Sequence, residues 1–215
     1  MDKCNYENTQ KPSEGIKNTC GLNLVDLYKT AKDSVVRTES PEGGVGSGFI
    51  ISNGKEHLVV TVDHNLDDNS SSLSIKHKDS AYTAHAIKRD VERDIAIMKL
   101  EGKLKNPPEK DLKPSLDVPT KGAGVVALGF PGGVRRAEIS PGFVRGRDEF
   151  YVDQVIVDST QPCTFGNSGS IQLQSNGRWW GIQDAIGPGY TCISLGAKDA
   201  VVLIRQIPGW EKYGE

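Results

Sequence analysis

Between Val35 and Leu195 the chain is cut into short apolar runs, each closed by Gly, Pro, Asn or Asp. Runs of this length and spacing are strands, because no stretch among them sustains a helical period. The first set is Val35–Thr38, Gly48–Ser52, His57–Val62, Leu73–Lys78, Tyr82–Ile87 and Ile95–Leu100. The second is Val125–Phe130, Ile139–Arg145, Phe150–Val157, Ser170–Gln174, Arg178–Gln183 and Thr191–Leu195. Between them Lys105–Pro119 holds Pro107, Pro108, Pro114 and Pro119 among mixed charges. Proline removes a ladder donor and fixes φ, so this stretch is neither a central strand nor a continuous helix. It reads as a linker between two lobes. Leu24, Leu27, Tyr28 and Ala31 predict a short helix over 22–32, and Asp199–Gln206 predicts a second one stopped by Pro208. The pattern therefore predicts an all-β chain of two six-stranded antiparallel β-barrels with a short helix at each end. Its parts are a polar tail and helix (1–33), a barrel (34–104), the linker (105–119), a second barrel (120–198), and a terminal helix and tail (199–215).

The net charge of −2 argues against a dedicated nucleic-acid binder, which carries a basic excess. No apolar run is long enough for a transmembrane helix. The start, Met1-Asp2-Lys3-Cys4, lacks the apolar stretch of a signal peptide, so the chain is either cytoplasmic or a mature form. Four cysteines, Cys4, Cys20, Cys163 and Cys192, form no CxxC pair, which removes a zinc ribbon or a thioredoxin motif. They are either two disulfides, Cys4 with Cys20 and Cys163 with Cys192, or four free thiols.

The sharpest local signal is Gly166-Asn167-Ser168-Gly169-Ser170. Glycine on both sides lets the backbone turn tightly around an accessible serine. It also lets the N–H groups of Gly166 and Ser168 converge as an oxyanion hole. A Gly/Ser-rich hairpin turn would have the same composition. A nucleophilic serine needs a base, and all four histidines (His57, His64, His77 and His85) precede it. That order excludes an α/β-hydrolase, whose histidine follows the serine. It fits the order His…Asp…Ser. His64 ends an apolar strand and opens a polar loop, which fixes an imidazole at a sheet edge. The other three histidines read as surface or half-buried groups. Asp94 directly precedes the apolar strand 95–100 and can be held to accept a bond from imidazole Nδ1, with Asp90 a nearby competitor. A metal site on His57 and His64 lacks a third ligand at suitable spacing. Cys163 as a nucleophile would lie off the oxyanion turn.

Six segments then occur in order: Gly46-Ser47-Gly48-Phe49-Ile50-Ile51, Thr61-Val62-Asp63-His64, Asp94-Ile95-Ala96-Ile97, Leu128-Gly129-Phe130-Pro131-Gly132, Gly166-Asn167-Ser168-Gly169 and Gly181-Ile182. Over about 34–206 the chain resembles trypsin-like serine proteases of the bacterial type, similar to the HtrA-like and glutamyl-endopeptidase proteases. The resemblance implies a chymotrypsin fold and an active site in the cleft between the barrels. It also implies a triad of His64, Asp94 and Ser168, with an oxyanion hole at Gly166 and Ser168. It implies a serine endopeptidase with protein or peptide substrates, no metal or organic cofactor, and a periplasmic or secreted location. A catalytically inactive relative that only binds peptides is the alternative.

Ser170 departs from the commoner GNSGG and matches the glutamyl endopeptidases. No PDZ-like segment follows Gln206. Asn167 stands where zymogens of this family carry the acid that pairs with a freed amine, so no activating cut of that kind is expected. By the same resemblance, a Cys163–Cys192 disulfide would brace the specificity pocket, whose walls would be Cys163, Thr164 and Gln183. Asp184, one residue on along an alternating strand, is expected to point outward.

Overall fold

A computed structural model describes residues 22–67, 69–151, 154–187 and 189–215; Cys4 and Cys20 lie outside them. Twelve strands form two closed barrels. In the first, β1 (Val35–Glu39), β2 (Val45–Ser52), β3 (His57–Thr61), β4 (Ser72–His77), β5 (Ser80–Asp90) and β6 (Ile95–Leu100) close in the order β1-β2-β3-β6-β5-β4. In the second, β7 (Gly124–Gly129), β8 (Glu138–Tyr151), β9 (Gln154–Ser159), β10 (Ile171–Leu173), β11 (Trp179–Ile186) and β12 (Cys192–Gly196) repeat that order. Every pairing is antiparallel, and closure leaves neither barrel an open edge. Helices α1 (Leu24–Ala31) and α2 (Ala197–Arg205) flank them. Among the described residues no helix is long and apolar enough to cross a membrane.

One expectation changes. The predicted strand Phe150–Val157 is split, because β8 runs through Pro141 and Gly142 to Tyr151 and β9 starts at Gln154. An apolar count cannot locate a hairpin when both of its arms are strand-like.

The main core spans both barrels. Phe49, Ile51 and Val60 from the first pack with Leu128, Ile171 and Trp179 from the second and with Ala200, Val201 and Ile204 of α2. Phe49 and Trp179 meet edge to face at 5.0 Å. Barrel interiors hold separate clusters, around Ile50, Val59 and Met98 in the first and around Val125, Val157 and Trp180 in the second. The proline-rich linker is pinned to the second barrel. Ser115 N donates to Trp179 O (2.7 Å), Trp179 N to Lys113 O (3.1 Å), and the Tyr213 hydroxyl to Leu112 O (3.1 Å). The cleft between the barrels is therefore bounded by two bodies fixed through one core.

Candidate active site

β3 ends at Thr61, and a short 3-10 turn, Asp63–Asn65, carries His64 to the rim of the cleft. Asp63 is buried and holds this turn by a forked pair of bonds from Arg89 Nε and Nη2 (2.6 and 2.9 Å). Asp94 enters β6 from a turn with φ +53°, a left-handed conformation that is uncommon outside glycine and recurs at functional sites. The strain aims its carboxylate at the histidine. His64 Nδ1–H donates to Asp94 Oδ2 (2.6 Å) and His64 N to Asp94 Oδ1 (2.8 Å). Asp90, the competitor, is engaged with Arg93 at 3.0 Å. His77 is buried on the Asp33 carbonyl (2.7 Å), and His85 sits against Glu101 on the surface.

Ser168 reaches the same cleft from the turn before β10. Gly166 and Gly169, at φ +87° each, make that turn possible. The Gly166 and Ser168 amides donate to no backbone carbonyl among the described residues, whereas those of Asn167 and Gly169 do. The turn is anchored to the first barrel: Ser47 N donates to Ser168 O (2.8 Å), Asn65 Nδ2 to Ser168 O (2.9 Å), and Ser47 Oγ to Gly166 O (2.7 Å). Asn65 thus ties the histidine turn to the serine turn. Sequence reading missed it, since an Asn beside a histidine carries no signal of its own.

The three residues expected to form a triad are partly joined. His64 and Asp94 are bonded; the Ser168 hydroxyl shares a cavity with His64 but donates to Asp184 O (3.2 Å) instead of His64. Asp184 itself overturns an expectation. β11 shifts register between Gln183 and Ala185, and such a bulge breaks the in-out alternation. The Asp184 side chain therefore turns inward, with Oδ1 3.8 Å from His64 Nδ1 and a hydrogen bond to Asp94. His64, Asp94 and Asp184 place their atoms within 4.8 Å of one another. Nδ1 is already committed to Asp94. Burial, reinforced by the Asp94 charge, pushes the Asp184 carboxyl up to about 7. Burial also pushes Asp94 up, but hydrogen bonds from His64 and Asp184 outweigh it and hold its carboxyl low. The bond to Asp94 raises the His64 imidazole above its ordinary value, and the Asp184 charge adds to this.

Cys163, Thr164 and Gln183 line a cavity of about 500 Å³ with His64 and Ser168. Cys163 and Cys192 are free thiols here, contrary to the expected bridge. Each sulfur has other partners: Gln183 Nε2 donates to Cys163 Sγ (2.5 Å), and Cys192 Sγ–H points at Gln161 O (3.5 Å). A hydrogen bond between the two thiols lowers the pKa of Cys163 and raises that of Cys192.

Residues 46–182 match the family model of the trypsin-like peptidase domain, more than half of the chain. The chain belongs to the trypsin-like peptidase family. Among solved structures it is similar to the active form of the Rv3671c protease from M. tuberculosis, at TM-score 0.73 and 22% identity, over 94% of this chain and 93% of that one. The inactive form of Rv3671c gives TM-score 0.72 and 23% identity, over 93% and 100%. A serine endoprotease from Yersinia pestis gives 0.72 and 18%, over 85% of this chain and 65% of that one. At these identities the likeness speaks for the chymotrypsin-like fold. A search of curated proteins found no match. The family model begins at the Gly46-Ser47-Gly48 segment and ends at Gly181-Ile182, so it encloses His64, Asp94 and Ser168.

Proposed function

We propose that the protein is a serine endopeptidase that works through Ser168, His64 and Asp94 and an acyl-enzyme. The observation that carries this reading is the 2.6 Å His64–Asp94 bond facing a serine turn whose Gly166 and Ser168 amides are left open. Asp94 fixes the tautomer that leaves Nε2 of His64 free as a base. As a substrate enters, the Ser168 hydroxyl leaves the Asp184 carbonyl and gives its proton to Nε2. Its oxygen bonds to the peptide carbonyl carbon, and the displaced electron pair rests on the carbonyl oxygen against the two amides. The imidazolium then protonates the leaving amine, and water repeats the sequence to free the acid. Apo serine–histidine geometry is often loose before substrate binds. A second reading, a peptide-binding relative without turnover, is favoured by the Ser168 bond to Asp184 O. A fluorophosphonate probe separates them: a covalent adduct on Ser168, located by peptide mass mapping, is expected. A folded protein that takes no label supports the binding module.

The pH profile follows from the cluster. Activity needs neutral His64, and the raised pKa puts the acidic limb of kcat/KM above the ordinary histidine value of about 6.5. Above about pH 7 Asp184 loses its proton and puts a negative charge 3.8 Å from Nδ1, whereas Asp184→Asn keeps a donor for Asp94 and never carries that charge. The limb is expected to move to lower pH, by up to about one unit. A limb that stays, or moves up, contradicts this role for Asp184.

Substrate preference follows from the walls. Among the described residues the cleft lining contains no Lys or Arg; Asp67 adds negative charge, and Asp184 does so above about pH 7. Thr164, Gln183 and the Cys163 thiol suit small or uncharged polar side chains. No strong preference for Glu before the scissile bond is expected. A peptide library cut after Glu at more than about a hundredfold over Gln or Ala, near 2.7 kcal/mol, would refute this.

A further inference from the structure

A second cavity, of about 700 Å³, lies beside the cleft between α1, the first barrel and the segment after β7. Six cations line it: Lys32, Arg37, Lys76, Lys78, Arg135 and Arg136. Against them stand three carboxylates, Asp33 and Asp79 in the lining and Glu39 bonded to Lys76 and Arg37, in a chain whose net charge is −2. Asp33 is shared by Lys32 (3.5 Å) and Lys78 (3.4 Å). Arg135 and Arg136 are exposed and have no ion-pair partner among the described residues. Arg37 Nε is buried without a hydrogen-bond acceptor, and such a donor is costly unless a ligand supplies one. Tyr28, Val35 and Phe130 give the same cavity apolar surface.

We propose that this cavity is an anion-binding exosite for an acidic segment of a polypeptide. The chemistry favours carboxylates on a peptide over a phosphate polyanion. Four of the six cations already share two carboxylates, which tempers the potential, and the apolar wall suits side chains that alternate with acids. Position supports the same partner. A Cβ at Gly133 would lie 3.3 Å from Val45 Cγ1, which lines the cleft, and 3.8 Å from Arg37 Nη2, which lines the exosite. The intervening loop is bonded to the segment just before the serine turn, with Gly132 N donating to Phe165 O (2.6 Å), and to β2, with Phe130 N donating to Ser47 Oγ (2.9 Å). The two sites are thus one loop apart, and one chain can occupy both. The use of the exosite to recruit substrates rests on the endopeptidase reading; binding itself does not.

The test therefore measures binding, with full-length Ser168→Ala protein so that the probe is not cut. A fluorescein-labelled peptide of alternating Glu and Leu is titrated by fluorescence polarisation. Saturable binding is expected, weakened as salt rises from about 50 to 300 mM, where screening shortens to within a few ångströms. Arg135→Ala with Arg136→Ala is expected to weaken it about tenfold. These side chains are exposed, so thermal unfolding serves to check that the double variant keeps its fold. A Gln/Leu peptide is expected not to bind. No binding of the Glu/Leu peptide, or equal binding by the folded double variant, overturns the proposal. So does inorganic polyphosphate or single-stranded DNA binding more tightly than the peptide and losing affinity in the same variant.

Discussion

Replacing Ser168 by alanine is expected to lower kcat for peptide hydrolysis by roughly six orders of magnitude, because triad members act as a unit. The fold is expected to persist. The hydroxyl makes one long bond, 3.2 Å to Asp184 O, while the main-chain carbonyl of Ser168 keeps its bonds from Ser47 N and Asn65 Nδ2. The unfolding midpoint should therefore move by only a few degrees, as for a change of about 1 kcal/mol or less. The fluorophosphonate adduct should vanish in the same variant. His85→Ala provides the contrast, since that ring faces Glu101 on the surface and activity should survive its loss. Retained turnover in a clean Ser168→Ala sample would remove Ser168 from the chemistry. Loss of turnover in folded His85→Ala would mean the wrong histidine has been assigned.

Gly169→Ala should damage both stability and activity. Gly169 has φ +87°, and a Cβ there would lie 2.0 Å from Ser47 O and 2.5 Å from Thr61 Oγ1. A left-handed alanine costs about 1–2 kcal/mol, and overpacking adds about 1–3 kcal/mol. The sum, about 2–5 kcal/mol, is read as a drop in the denaturant midpoint. Relief of the clash would push the serine turn off Ser47, whose amide bonds to Ser168 O at 2.8 Å, so turnover should fall even where the protein stays folded. Gly54→Ala isolates the two costs. Gly54 has φ +82° with nothing within 4 Å of the added carbon, so only the backbone cost of about 1–2 kcal/mol applies. A Gly169→Ala protein no less stable than Gly54→Ala would show that contact between the barrels does not hold the serine turn.

Much of this architecture is local information. Strand runs follow from period-two apolar spacing. The tight turn around Ser168 follows from its flanking glycines, and the linker follows from its prolines. Each depends on residues a few positions apart and is readable from sequence alone, whereas the chymotrypsin-like fold and the triad order His64, Asp94, Ser168 rest on the resemblance of six ordered segments to trypsin-like proteases. Where the β8–β9 hairpin turns was not legible, because both arms are equally strand-like. The inward turn of Asp184 came from a bulge where β11 meets β12, a property of two paired strands that neither strand encodes alone. Asn65 gained its role only when folding brought Thr61, Ser47 and Ser168 within reach of its amide. The free thiols of Cys163 and Cys192 likewise reflect neighbours distant in sequence, Gln183 and Gln161. The second cavity is the plainest case. Its cations come from the residue after α1, from β1 and β4, and from the segments after β4 and β7. Spread along the chain, they are offset by acids elsewhere; only barrel closure gathers them on one face, where their fields add.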